Sequence, residues 1–266
     1  MLRERILTAL VLAPIVLVTL TVLPPVATWI LLSALVLMGA WEWTAFPGFA
    51  NVRLRIVYFA AIALAMVASW HFSDSAAGLE TLMYIAAAWW LVAFVWIATY
   101  PKATALLATL AGFFILVPAW TALARLSLSH EHGRVLVLLL LLLVIAADVG
   151  AYFAGRYLGR LKLAPRVSPG KTWEGVLGGL LAASVVALVA SWPLQVRTGP
   201  FLALCAGVAI ASVVGDLTES MFKRYAGVKD SGTVFPGHGG VLDRIDSITA
   251  AAPFFVLGLG WLGVLR

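Results

Sequence analysis

Charge is what this sequence has least of: Asp, Glu, Lys and Arg together make up 11% of 266 residues, against 63% hydrophobic residues. That excludes an ordinary water-soluble enzyme, whose surface needs far more polar side chains. Cysteine occurs once, at Cys205 inside an apolar run, so a disulfide framework and a cysteine-built metal site are excluded as well. There is no internal repeat, and no low-complexity tract beyond the Leu, Ala and Val of the apolar runs. No polar segment is long enough for a soluble domain, so the net charge of +6 does not point to nucleic acid. It fits basic loops that meet anionic lipid or an anionic substrate.

What the chain has instead is a series of apolar runs, with a mean hydropathy of +1.03. Nine spans are expected, at about 6–23, 26–42, 56–72, 81–99, 104–124, 135–157, 175–194, 200–222 and 247–265. Backbone in lipid must satisfy its hydrogen bonds internally, so each span is a helix. The expected fold class is therefore all-α, a polytopic integral membrane helical bundle. Arg3 and Arg5 before the first run imitate a signal peptide, but Pro24-Pro25 and another apolar run follow with no small-residue cleavage site, so this span is expected to be retained. Several of the eleven Trp residues, among them Trp41, Trp43, Trp89, Trp90 and Trp192, fall near span ends, where interface anchoring is the expected role.

With the N-terminus in the cytoplasm, 14 of the 18 Lys and Arg residues fall on the cytoplasmic side. The other four are Arg125, Arg134, Arg197 and Arg266. This imbalance follows the positive-inside rule and supports an odd number of spans.

The few acids are unevenly placed, and seven of twelve follow residue 147: Asp148, Glu174, Asp216, Glu219, Asp230, Asp243 and Asp246. Ionisable groups in or near a bilayer are costly, so such a gathering is a functional-site hypothesis. By depth, Asp148 falls in the inner half of its span, Asp216 near the inner end of the eighth, and Asp243 and Asp246 at the inner start of the ninth. Asp216, Glu219, Ser220 and Lys223 stand at i, i+3, i+4 and i+7 on one helical face; Asp243, Asp246 and Ser247 repeat the pattern. Two such faces make a plausible oxygen cage for a hard divalent cation, which takes a few carboxylates together with substrate phosphate oxygens. Pairing of each acid with a neighbouring Lys or Arg is the plainer alternative. Of the first five spans, only Glu42, at the inner end of the second, hints at chemistry.

A second cluster, residues 148–179, crosses a short basic loop. Ser168-Pro-Gly-Lys171-Thr172 is half of a P-loop, but Pro165 stands where that motif demands glycine. What remains is a helix N-terminus that Thr172 can cap, with Lys171 and Ser168 beside it for an anion. His238 stands alone in the turn Pro236-Gly-His-Gly239-Gly240, where the glycines allow close approach to a ligand.

Ser220, Lys223-Arg224, Lys229-Asp230, Pro236-Gly-His238-Gly239-Gly240 and Asp243-Arg244-x-Asp246 together resemble the signature of the bacterial phosphatidate cytidylyltransferases, the CDP-diacylglycerol synthases. Asp148-x-Gly-Ala-Tyr152 and Ser168-Pro-Gly-Lys-Thr-Trp-Glu174-Gly are also similar to that family, and the match covers about 148–253. Phe235 departs from the family's aliphatic residue, and Glu174 stands where the family also uses Gln.

The resemblance implies transfer of CMP from CTP to phosphatidic acid, with release of pyrophosphate. It implies Lys223, Arg224, Asp243, Asp246 and His238 as catalytic residues. Ser168, Lys171, Thr172, Ser220, Lys229, Gly239, Gly240 and Arg244 would bind substrate, and Asp148, Asp216, Asp243 and Asp246 would hold Mg²⁺, with room for a second cation. The enzyme would sit in a bacterial cytoplasmic (inner) membrane among its lipids, with its active site at the cytoplasmic side, no nucleic-acid partner, and a homodimer allowed. The expectation is one membrane domain over 1–266, with 1–134 mostly scaffold and 135–266 carrying the catalytic helices and loops.

A transporter is the non-enzyme alternative, but it would place polar groups near the midplane between repeats. A CTP-dependent polyprenol kinase or a cytidylyltransferase for another lipid phosphate would share the metal face. A CDP-alcohol phosphotransferase needs a longer aspartate array than Asp243-x-x-Asp246.

Overall fold

The computed structural model describes residues 2–99, 103–129, 132–234 and 239–265. Among these, nine helices appear in order: α1 (Leu2–Thr21), α2 (Pro25–Trp43), α3 (Val52–Phe72), α4 (Ala76–Thr99), α5 (Ala105–Ser129), α6 (Gly133–Leu158), α7 (Trp173–Ser191), α8 (Thr198–Tyr225) and α9 (Leu242–Trp261). Seven of them, α2 to α8, are long and apolar enough to cross a membrane. Helices α1 and α9 begin in charged turns, with Arg3-Glu4-Arg5 and with Asp243, Arg244 and Asp246. The chain is thus an all-α membrane protein.

Local chemistry sets the helix starts. Pro25 opens α2, where the N–H it lacks would go unbonded in any case. Asn51 caps α3 by accepting from the Arg53 amide at 2.8 Å, and Thr172 caps α7 by accepting from the Gly175 amide at 3.1 Å.

Two buried apolar clusters hold the bundle together. One gathers Trp43, Tyr58, Trp90, Trp120 and Phe222 from α2, α3, α4, α5 and α8. The other joins Leu140, Ala183, Phe201, Cys205 and Phe255 from α6 to α9. Large apolar side chains such as Leu64, Leu91, Leu181 and Val189 remain exposed, which suits a lipid-facing surface.

The most extensive packing pairs α6 with α7 and α8 with α9. Both pairs meet at glycines, because close helix approach within lipid relies on small residues. A Cβ on Gly178 would stand 2.2 Å from that of Ala154, across the α6–α7 seam. A Cβ on Gly215 would stand 2.5 Å from the Asp246 carbonyl oxygen, so α8 and α9 touch at the level where both carry their acids.

Two expectations change. The stretch between α6 and α7, expected as a loop, contains an antiparallel hairpin of β1 (Lys162–Ala164) and β2 (Ser168–Thr172), with Lys162 opposite Thr172. It is too short and too polar to announce itself by alternation. The tryptophans also divide. Trp192 is exposed as an interface anchor would be, but Trp43 and Trp90 are buried. Trp43 donates its indole N–H to the Ala108 carbonyl at 2.9 Å, and Trp29, Trp70 and Trp120 pack ring against ring. Here the ring's large apolar area is used in helix packing.

Candidate active site

The end of α8 and the start of α9 are joined by one ammonium group. Lys223 Nζ lies 2.7 Å from Asp243 Oδ1 and 3.2 Å from Glu219 Oε1. The second Asp243 oxygen, Oδ2, accepts from the Gly240 amide at 2.7 Å and from the amide and hydroxyl of Ser231, each at 2.9 Å. Asp243 therefore has both oxygens engaged. Gly239 turns the chain into this arrangement with a φ of +81°, a left-handed conformation that favours glycine.

A second ion pair lies beside the first. Lys171, in β2, places its ammonium 2.8 Å from Asp216 Oδ2 on α8, while the Ser220 hydroxyl donates to Asp216 Oδ1 at 3.3 Å. Asp148 of α6 interacts electrostatically with Asp216, Lys171 and Arg244. Asp148, Tyr152, Arg156, Ser168, Gly170, Lys171, Thr172 and Asp216 line part of a cavity of about 490 Å³. The hairpin that presents Lys171 is fixed at its base, where the Glu174 carboxylate accepts from the Leu161 amide at 3.2 Å. Of the helical face shared by Asp216, Glu219, Ser220 and Lys223, the lysine thus turns to Glu219, and Asp216 is met from β2 instead.

The centre holds more acidic than basic side chains. Asp148, Asp216, Glu219, Asp243 and Asp246 are arrayed with Lys171, Lys223 and Arg244. Glu219 and Asp246 face each other carboxyl to carboxyl within hydrogen-bonding reach, and Glu219 is ion-paired with Lys223. Carboxyls crowded together in a dry site either share a proton or meet a supplied cation. Among the described residues no three acids converge on one point as a closed metal site would require. Mg²⁺ commonly takes only one or two protein carboxylates and completes its shell with water and phosphate oxygens, and this donor set fits that habit.

The other sequence-predicted residues are placed as follows. Arg244 is exposed on the first turn of α9, and Arg224 and Lys229 are exposed at and beyond the end of α8. Gly240 is buried with its amide bonded to Asp243. His238 lies outside the described residues, as do Phe235, Pro236 and Gly237. Two residues that the sequence did not assign belong to the centre. Ser231 bonds Asp243, and buried Glu42 of α2 accepts from the Ser231 hydroxyl at 3.1 Å and from the Val241 and Leu242 amides at 3.0 and 2.8 Å. A lone acid ending an apolar helix was the available signal for Glu42; its partners, nearly 200 residues away, were not visible.

Next to the cavity that holds Lys171 and Asp216 runs an apolar groove of about 430 Å³, lined by Phe94, Ile97, Trp173, Ile210, Val214 and Leu217 among others. Leu163, Val176 and Val213 border both spaces. Ile210 lies six residues before Asp216 on α8, roughly 9 Å along the axis.

Comparison with known proteins gives a consistent set of relatives. Residues 3–261 match the model of the cytidylyltransferase family. The phosphatidate cytidylyltransferase of Pseudomonas aeruginosa is 43% identical, over 98% of this chain and 99% of its own length. That of Haemophilus influenzae is 42% identical over 96% and 97%. A protein of the same name from Synechocystis is 52% identical over 112 residues, 41% of this chain and 37% of its own length.

Removing the shared ammonium is expected to destabilise the fold. Lys223→Met leaves Glu219 and Asp243 buried without their counter-charge, a loss of about 3 kcal/mol or more. Thermal unfolding in detergent measures it, and a variant melting at the wild-type temperature would contradict the clasp.

Proposed function

The chain belongs to the cytidylyltransferase family, and from that membership we propose that it is a phosphatidate cytidylyltransferase, forming CDP-diacylglycerol and pyrophosphate from phosphatidic acid and CTP. The observation that carries the reading is the shared wall between a cavity that presents the charged groups of Asp148, Arg156, Lys171 and Asp216 and an apolar groove beside it. A phosphorylated lipid needs both environments within one headgroup's reach, and a soluble phosphomonoester needs only the first.

The reaction joins two polyanions. An oxygen of the lipid phosphate attacks the α-phosphorus of CTP, the bond from that phosphorus to the bridging oxygen breaks, and pyrophosphate leaves with the electron pair. A phosphomonoester loses its second proton near pH ~6, so the attacking group is largely ionised at neutral pH and needs no strong base. The demand is for positioning and charge neutralisation. Lys171, at the cavity wall, would exchange Asp216 for a phosphate oxygen when substrate enters. Lys223 donates to Asp243 and is ion-paired with Glu219, and an N–H not directed at Asp243 would meet the triphosphate where charge grows on the leaving group. Arg224, Lys229 and Arg244, at the exposed rim, would draw in the anions.

Asp216 and Asp246, with Asp148 beside them, would hold Mg²⁺ and any second cation. Bound there, the ion would offset triphosphate charge and polarise the α-phosphoryl group. In this assignment Asp243 serves to hold Lys223 and the turn, because its oxygens are already engaged.

Nine transmembrane helices, a cytoplasmic N-terminus and an active centre at the cytoplasmic face of a bacterial inner membrane complete the reading. The distribution of Lys and Arg supports the orientation, and the presence of CTP in the cytoplasm requires it.

Two experiments test these statements. Purified protein with labelled CTP and Mg²⁺ is expected to convert phosphatidic acid to CDP-diacylglycerol with one pyrophosphate per turnover, and to leave glycerol 3-phosphate unreacted. Release of CDP would indicate a kinase instead, and equal use of glycerol 3-phosphate would dismiss the groove as the lipid site. For topology, a cysteine replacing Gly170 should react with an impermeant reagent only from the cytoplasmic side and one replacing His132 only from the opposite side. The reverse pattern would overturn the siting of the centre.

A further inference from the structure

Glu42 stands outside every motif that carries the chemistry, yet it is only 6% exposed and is in direct contact with the segment that builds the centre. Its carboxylate sits at the start of α9. One oxygen accepts from the Val241 amide; the other accepts from the Leu242 amide and the Ser231 hydroxyl. Backbone amides at a helix start would otherwise lack partners, and a carboxylate there also meets the positive end of the helix dipole.

The surrounding backbone is shaped to admit it. A Cβ on Gly232 would stand 2.3 Å from Glu42 Oε1, and a Cβ on Gly240 would stand 2.4 Å from Oε2. Gly232 and Gly240 thus leave room for one carboxylate from a distant helix. The Ser231 hydroxyl next to it lies 2.9 Å from Asp243 Oδ2, and Asp243 Oδ1 lies 2.7 Å from Lys223 Nζ. The chain of contacts runs from α2 through Ser231 and Asp243 to the ammonium.

We propose that Glu42 is a positioning residue for the transfer reaction, fixing the first turn of α9 and Ser231 so that Asp243 holds Lys223 toward the triphosphate. The inference rests on the cytidylyltransferase reading. It gives the N-terminal helices a part in the chemistry that the signature residues alone do not.

Three variants, Glu42→Gln, Ser231→Ala and the double, test it in detergent beside the wild type. Glu42→Gln keeps the volume but turns an amide N–H₂ toward groups that are themselves donors. It is expected to lower kcat about tenfold or more, since hydrogen bonds to a charged group are lost, while the KM for CTP stays within about threefold. Ser231→Ala should lower kcat in the same direction with the fold intact. The double variant should fall no further than the worse single one, because both act through Asp243. Folded Glu42→Gln or Ser231→Ala protein with wild-type kcat would overturn the proposal, and so would multiplicative losses in the double variant. If Glu42→Gln does not fold, Ser231→Ala decides alone. A wild type without transferase activity would sink the functional reading, whereas an active wild type with indifferent variants would sink only this inference.

Discussion

A single ammonium group, that of Lys223, stands between two buried carboxylates on neighbouring helices, and the arrangement of the centre follows from that constraint. A lone charge at this depth is expensive, and so is each of its partners. Once Lys223 is shared between Glu219 on α8 and Asp243 on α9, the ends of those helices are held in register. The turn between them is then gathered onto the free oxygen of Asp243 through Ser231 and Gly240. Among the described residues Lys223, Ser231, Gly240 and Asp243 satisfy one another's polar groups, which is what a low-dielectric setting demands.

The remaining acids are brought near this clasp by backbone contact. Gly215 lets α8 reach the carbonyl of Asp246 on α9, and glycines in the α6–α7 seam let Asp148 and the β-hairpin close over the same place. The result is a cluster of carboxylates of which Asp148 and Asp216, with Arg156 and Lys171, line a cavity that opens beside an apolar groove. A cation and a polyanion are the ligands that such a charge pattern accommodates together, since each lowers the cost of bringing in the other.

Much of this was legible in the sequence. Lengths of apolar run located the helices, of which α2 to α8 are long and apolar enough to cross a membrane, because lipid leaves the backbone few other choices. The i, i+3 and i, i+4 spacings of Asp216, Glu219, Ser220 and Lys223 put them on one face, and the Glu219–Lys223 pair realises that spacing. Spacing within one helix could not reveal that Asp216 would be met by Lys171 from a strand, or that Asp243 would be saturated by Ser231 and Gly240. Both depend on contacts between segments whose separation along the chain carries no periodic signal. Glu42 is the extreme case, because its partners lie 189 to 200 residues further along the chain. The burial of Trp43 and Trp90 also escaped the sequence, since a tryptophan near a helix end reads alike whether it faces headgroups or a neighbouring helix.

Central to the proposed mechanism is that Asp216 of α8 and Asp246 of α9 hold the cation against the triphosphate. Asp246 is the most direct probe, because it faces Glu219 and Asp216 and is paired with no lysine among the described residues. Turnover of Asp246→Asn across a Mg²⁺ titration, on protein shown to be folded by its melting temperature, tests the claim. The account predicts a fall in kcat of about a hundredfold, roughly 2.7 kcal/mol of transition-state stabilisation, that added Mg²⁺ does not restore. A folded variant working within about tenfold of the wild-type rate would contradict it.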